Sequence, residues 1–322
     1  MAILKPILYI LVYPGLLFLL VYSTFCEWFD RKLYARMQNR IGPLHTGRSG
    51  ILQPLADIVK LFAKEDIVPE KADKRMFSAL PVFALAIICT AALYLPVWHY
   101  SAAPSFISFP GDLIVVAYLL TLPTLIFFLA GWHSTNYFSA IGGVRVLTML
   151  FGYEIPLLLA LLSPAVLAGS WRILEIAAFF QNRPLLMLAN LIGFFIALIA
   201  LQAKLERVPF DIPHAETEIV GGQFTEYSGK KLAFFRLLGD IEMVVGAGLI
   251  SAVFLGGFPG GLLPGLAWFI VKTCLVIFLL AAMRAATSRI RIDQMVNFSW
   301  RWLAPLAVLQ LFIVIIIKGM AS

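Results

Sequence analysis

The sequence predicts an all-α, polytopic membrane protein, with about eight transmembrane helices and one amphipathic helix lying in the interface of the first loop. Three observations carry this reading. Of 322 residues, 61% are hydrophobic and only 13% are charged, a composition outside the soluble globular range. Apolar runs of roughly the 20 residues needed to cross a bilayer recur along the whole chain, each bounded by charge, Gly or Pro. Lys and Arg concentrate on alternate loops, as they do when one side of a membrane retains them. The chain reads as one membrane domain, 1–322, with two polar insertions at 30–75 and 206–229.

The expected spans are 3–26, 77–98, 114–133, 141–168, 184–204, 231–256, 263–284 and 300–318. The first is too long for a signal-peptide core, and no small-residue cleavage site precedes Glu27 and Trp28, so it is expected to remain as a helix. Ten Lys and Arg lie in 30–75; Lys204, Arg207, Lys230 and Lys231 follow in one later loop, and Arg284, Arg289, Arg291 and Arg301 in another. The opposite side holds Lys5, Arg172, Arg183 and Lys318, while Arg145, Arg236 and Lys272 fall within spans. This places the three basic loops in the cytoplasm and both termini outside. The net charge of +7 follows from that asymmetry. No basic stripe with interleaved stacking aromatics is present, so nucleic acid is excluded as a partner. Cys26, Cys89 and Cys274 stand singly in or beside apolar runs, and His45, His99, His133 and His214 are scattered, so no metal site is expected.

Helix one runs into EWFDRKLYARMQNRIG at 27–42, where charges alternate with aromatics as at a membrane border. In SGILQPLADIVKLFAKEDIVP, Leu52, Leu55, Ala56, Val59, Phe62 and Ala63 recur at helical spacing. Asp57, Lys60, Lys64 and Glu65 make that segment too charged to span, so it is placed as an amphipathic interfacial helix of about four turns. Gly142 and Gly143 open the fourth span, where small residues let backbones approach closely. That span also carries Arg145 and Glu154. Nine residues separate them, about 13 Å of rise and half a turn out of phase, so each needs its own partner. A charge at the centre of a span costs on the order of 3 kcal/mol, which points Glu154 to a water-connected or proton-carrying role. Residues 171–183 read as a short interfacial helix on the opposite side.

The chemistry concentrates in ERVPFDIPHAETEIVGGQFTEYSG. Glu206, Asp211, Glu216, Glu218 and Glu226 sit between two spans, and Pro209 and Pro213 with Gly221 and Gly222 prevent a regular helix. Irregular backbone at membrane depth is tolerated where it is buried in protein or lines a water-filled cavity. The next span carries Arg236, Asp240 and Glu242; Arg236 and Asp240 are spaced to pair, whereas Glu242 looks elsewhere. With Asp30 and Glu154 the carboxylates in or beside the membrane number nine, and proton or ion conduction is the simplest chemistry they share. No GxSxG, GxxxxGK[ST] or HExxH occurs, so no catalytic residue is expected within the chain.

Four blocks, QNRIGPLHTGRSGILQPLADIVKLFAKEDIVP, GWHSTNYFSAIGGVRVLTMLFGYEIPL, ERVPFDIPHAETEIVGGQFTEYSG and RAATSRIRIDQMVNFSW, together resemble the H subunit of proton-translocating NADH:quinone oxidoreductase, respiratory complex I. The resemblance implies a multi-pass subunit of a cell inner (cytoplasmic) membrane that joins other membrane-arm subunits to peripheral-arm redox subunits. It implies a quinone chamber at Asp30, Arg31, Arg36, Gln38, Arg40 and Pro43, and a proton path starting at Glu154, Asp211, Glu216, Glu218 and Glu226, with Asp240 and Glu242 in place of an acid usually found slightly earlier in that span. Quinone is the implied substrate; NAD, FMN and iron–sulfur clusters would belong to partner subunits. Asp30 stands where the family often has Glu, His214 where it has an acid, Tyr137 where it has Lys and Met149 where it has Gln. The alternatives are the equivalent subunit of a ferredoxin- or deazaflavin-linked complex or of a membrane-bound nickel–iron hydrogenase without a quinone site, and, from another class, a stand-alone ion transporter.

Overall fold

The structure is a computed structural model that describes residues 11–12, 15–97 and 108–321. The N-terminal half of the first expected span, most of the 99–113 connection and His99 lie outside the described residues.

Helix α1, Leu16–Met37, contains no Pro or Gly and therefore continues unbroken well past the expected end of the first span. Asp30 and Arg31, expected at the start of a loop, are helical residues here, on the same rod as Glu27. A 3-10 turn, Arg48–Gly50, leads into α2, Gln53–Phe62, which Pro54 opens near its first position. At ten residues α2 is shorter than the four turns expected, because 64–69 leaves the helix to run toward the start of a later span. Its Leu52, Leu55, Val59 and Phe62 side is exposed, while Pro54 and Ile58 turn inward.

Helices α3, Lys74–Leu93, α4, Asp112–His133, and α5, Tyr137–Ala168, follow. Asp73 caps α3 by accepting from the Arg75 and Met76 amides at 3.0 and 3.3 Å, and Asn136 caps α5 by accepting from Phe138 at 2.8 Å. The expected interfacial helix is α6, Ile173–Asn182, and a 3-10 segment, Pro184–Asn190, feeds α7, Leu191–Lys204. The acidic insertion holds the single turn α8, Glu216–Ile219, between 3-10 turns at Ile212–His214 and Gly222–Phe224. Then come α9, Gly229–Phe254, and α10, Leu262–Ala286. A last rod is built of α11, Ile292–Phe298, a π turn at Ser299–Leu303 and α12, Ala304–Ala321.

Among the described residues seven helices are long and apolar enough to cross a membrane, and they fall on the second to eighth expected spans. The architecture is all-helical. Helix α9 is the hub: it packs on α1, α2, α3, α6 and α10, and every residue of 241–254 is buried. Helix α5 organises the other half against α4, α7 and α12. Lipid tails are as apolar as Leu, so close packing and satisfied polar groups hold such a bundle together rather than apolar burial alone. Gly142 shows the consequence, since a Cβ there would lie 2.5 Å from the amide nitrogen of Gln223. The missing side chain lets the acidic insertion dock on α5, and Gly143 brings α5 against Phe128 of α4 in the same way.

Candidate functional site

The insertion begins where α7 stops, and the way α7 stops places the first acid. The Glu206 amide donates to Ala203 O at 3.1 Å and the Arg207 amide to Gln202 O at 3.3 Å, the paired bonds of a Schellman cap. Such a cap needs a left-handed residue, and Glu206 fills that place with φ 51°. Glycine would adopt it freely; a glutamate held there costs about 1 kcal/mol, so its carboxylate has a specific use. That carboxylate accepts from His214 Nε2 at 2.7 Å and from Gln223 Nε2 at 2.7 Å, which folds the insertion back onto its own start. His214 stacks on Phe224, ring centroids 5.6 Å apart. Burial disfavours the imidazolium, but the adjacent Glu206 outweighs it and lifts His214 above its ordinary value.

Glu206, His214 and Phe224 line a cavity of about 440 Å³ together with Glu27, Arg31, Pro54, Asp57, Ile58, Phe127, Lys204, Arg207, Leu232, Phe235, Arg236, Asp240 and Glu242. One wall is an ionic lattice. Glu27 holds Arg31 at 2.7 Å and Arg207 at 3.0 Å, and Arg31 reaches Asp57 on α2 at 2.7 Å. Partial burial works to raise the Asp57 carboxyl, yet its bonds from Arg31 and Gln53 hold it below the usual carboxylate range. Arg207 also meets Asp30 at 2.9 Å, and Arg284 of α10 meets Asp30 at 3.2 Å. Helices α1 and α10 and the insertion are thereby tied to one buried acid.

The far end of the cavity lies within the bundle. Lys204 Nζ is 3.1 Å from Glu242, and both side chains are almost wholly buried. The ammonium also donates to the Leu120 carbonyl and to Thr124 Oγ1, the latter at 3.3 Å, and faces the Tyr153 ring at 5.9 Å. Tyr153 and Thr124 hydroxyls are 3.0 Å apart. Glu154, next along α5, accepts from the Thr121 hydroxyl, and its second oxygen is buried without a hydrogen-bond partner among the described residues.

Of the residues expected at a quinone chamber, Arg31 lines this cavity. Asp30 lies behind it, buried in the ionic lattice. Arg36, Gln38 and Arg40 are exposed at the end of α1 and the turn after it, and Pro43 accepts from Lys32 at 2.8 Å. Of the residues expected on a proton path, Asp240 and Glu242 line the cavity and Glu154 lies beyond its end. Asp211, Glu216, Glu218 and Glu226 are elsewhere. Glu218 pairs with Arg145 at 2.7 Å across a second cleft of about 320 Å³, which Arg289, Arg291 and Asp293 share. Its bond from Arg145 holds the Glu218 carboxyl below the usual range. Asp211 faces Arg289 at 3.5 Å, Glu226 accepts from Asn136, and Glu216 is exposed. Arg236 and Asp240, spaced to pair, do not come within ion-pair distance among the described residues, because Arg236 is largely exposed and Asp240 turns inward beside Glu27 and Arg207.

Spacing along the chain does not single out Glu27, Asp57, Lys204 or Arg207 as site residues, and it offers Glu206 only as one carboxylate among nine. Composition places Lys204 in a basic loop, whereas it is a buried residue of the last turn of α7. The signal that could have found it is local: Gln202, Lys204 and Glu206 alternate with apolar residues immediately before Pro209, too polar for the end of a span.

Residues 10–315 match the model of the NADH dehydrogenase family. The chain is 38% identical over 317 residues to the H subunit of NADH-quinone oxidoreductase from Bacillus mycoides, covering 95% of this chain and 94% of that protein. It is 37% identical over 302 residues to the subunit of the same name from Carboxydothermus hydrogenoformans, covering 92% and 85% respectively. Among solved structures it is similar to a chain of the membrane-bound sulfane sulfur reductase, an archaeal respiratory membrane complex, with a TM-score of 0.80 and 28% identity over 92% of this chain and 97% of that one. Fold, motif blocks and relatives agree across nearly the whole length, and the chain belongs to the NADH dehydrogenase family of membrane subunits, alongside the H subunit of NADH-quinone oxidoreductase.

Proposed function

We propose that this chain is the membrane subunit of a complex I-like oxidoreductase, that it lines a quinone site at the junction with a peripheral redox arm, and that it couples electron transfer to proton translocation. The observation that carries the reading is one cavity with two unlike ends. Pro54, Ile58, Phe127, Leu205, Phe224, Leu232 and Phe235 give it apolar surface, set among charged groups that include Glu27, Arg31, Asp57, Arg207 and His214. About 440 Å³ falls within the size range of small-molecule pockets. Toward the bundle centre it ends on Lys204 and Glu242, with Glu154 beyond.

In this reading the ring of a quinone lies between the apolar side chains, and His214 and Arg31 face its oxygens. Redox centres and the nicotinamide site belong to partner subunits, and the chain itself contributes position, charge and proton carriers. The ionic lattice around Glu27, Asp30, Arg31 and Arg207 responds to the charge that forms on a reduced quinone and passes the change to the Lys204 end. Both termini lie outside, opposite the basic loops.

The test uses the assembled complex in sealed vesicles, with donor:quinone reductase activity and proton uptake read together. Leu232→Trp fills the cavity and is expected to raise the apparent KM for quinone, while Glu154→Gln is expected to lower proton translocation by ~100-fold, the scale of a lost proton-transfer group. Unchanged quinone kinetics in the first variant remove the quinone site. Unchanged pumping in the second removes the coupling role. Loss of activity toward quinone but not toward sulfane sulfur or protons as acceptor would instead place the chain with the reductases and hydrogenases of the same fold.

A further inference from the structure

The acidic insertion is held on two sides by unlike groups. Toward the second cleft, Arg145 of α5 and Arg289 each donate to the Ile212 carbonyl, at 3.3 and 3.4 Å, and the same guanidiniums face Glu218 and Asp211. Toward the cavity, His214 Nε2 lies 2.7 Å from Glu206. Ile212 lines the cleft and His214 the cavity, so the 3-10 turn Ile212–His214 stands between the two spaces. Arginine is always charged and grips permanently. Among the described groups that fasten the insertion, His214 is the one whose charge changes near neutrality.

The backbone on either side of that turn is strained. Glu206 has φ 51° and Val220 φ 59°, left-handed values that are costly for a residue with a Cβ and most of all for a β-branched one. Such strain persists only where surrounding contacts over-determine it, and it marks segments that switch. The stretch 207–219 therefore lies between two residues that relax if it moves. The charges around the imidazole decide what its proton does. Burial disfavours the imidazolium, Glu206 outweighs that penalty, Asp211 on the same turn adds to Glu206, and Arg236 of α9 opposes both. Phe224, stacked on the ring, and Gln223, bonded to Glu206, are neutral. Of the other charges in the cavity lining, Glu27 and Asp57 are matched by Arg31 and Arg207, and Glu242 by Lys204; Asp240 completes the set. Glu206 has no cation but His214 within ion-pair distance among the described residues, so these two groups depend on each other.

We propose that the turn Ile212–His214 is a pH-operated latch on the cavity: the charged His214–Glu206 pair holds the insertion closed, and loss of the histidine proton lets the turn swing about Glu206 and Val220. The latch regulates the site proposed above and rests on that reading for its effect on quinone. Its grip is complete at pH below the ordinary histidine value and fades as pH rises through the raised value of the closed form. The arginine contacts on the cleft side keep the far edge of the turn anchored, so the motion is a hinge and not an unfolding. A complex that exports protons makes the side of the basic loops alkaline, and the latch then turns the site down as the gradient builds.

The experiment compares the parent with His214→Gln and His214→Lys in the assembled complex, from about pH 6 to about pH 9, which brackets the histidine range. Amide hydrogen exchange across 207–219 is read without quinone and expressed as the ratio of variant to parent at each pH, which cancels the intrinsic pH dependence of exchange. His214→Gln is neutral throughout and is expected to exchange about fivefold faster than the parent at the acid end, the scale of a partly exposed ion pair, and equally fast at the alkaline end. His214→Lys stays charged and is expected to keep its protection at the alkaline end, where the parent loses it. The apparent KM for quinone should rise with pH in the parent, and His214→Gln should remove that rise. An exchange ratio that does not change with pH, or a lysine variant that loses protection as the parent does, would overturn the latch. Exchange that follows the latch in all three proteins beside a KM that ignores pH would leave the latch standing and overturn the quinone site beneath it.

Discussion

Glu206 shows how much one residue does at this site, because its backbone and its side chain pull in opposite directions. Left-handed φ argues for glycine, while the bonds from His214 and Gln223 argue for a carboxylate. Glu206→Gln keeps the strain and weakens the pair, so the His214 pKa should fall toward its ordinary value, measurable by magnetic resonance of labelled histidine. The sign of the pH dependence follows from the raised His214 pKa. Its pairing stabilises the folded insertion fully below the unfolded histidine pKa and is lost as pH rises through the raised folded value. The melting temperature gap between the parent and His214→Asn should therefore narrow as the solution is made alkaline. With His214 about a third exposed, the effect is about 1 kcal/mol or less. Gly222 is stricter. Its φ is +56° and a Cβ would fall 1.8 Å from Pro213 O, so Gly222→Ala should unseat the insertion and cost about 3 kcal/mol, read as a lower melting temperature and lost quinone turnover.

At the scale of elements, the first loop and the acidic insertion act as one clamp on α9. Lys231 grips Asp66 with both oxygens at 2.6 Å, Phe77 stacks on Tyr227 with centroids 4.0 Å apart, and Ser228 Oγ accepts from the Ile67 amide at 3.2 Å. The loop between α2 and α3 is thus fastened to the start of α9, next to α2, whose Pro54, Asp57 and Ile58 line the cavity. Asp66→Ala should free that fastening, with faster proteolytic cutting in 64–72 and a higher KM for quinone, while helix content stays constant. The amphipathic pattern of α2 was legible in the sequence, but its length and the side it turns inward were not. Periodicity marks an apolar face. Whether that face meets protein or stays outside depends on Asp57 finding Arg31, a partner 26 residues away.

For the whole molecule, the seven described spans and their order were legible because crossing a bilayer imposes a length and a composition that single residues cannot disguise. The topology implied by the basic loops is checked by adding protease-cleavable tags at each terminus: cleavage from outside the cell is expected for both. Glu154, Asp240 and Glu242 could be picked out, since a carboxylate in an apolar run is conspicuous on its own. Their partners could not. Lys204, Glu27 and Arg207 look in sequence like ordinary border charges, and only the packing of α7 and α1 against α9, with the turn that follows α7, brings them to one cavity. By itself the sequence determined what the bilayer demands, namely helices, the positions of the seven described spans and the places where charge is out of keeping with lipid. The tertiary structure alone decided which charges share a cavity and that Lys204 pairs with Glu242, because electrostatic partnership depends on distance across helices and not on spacing along the chain.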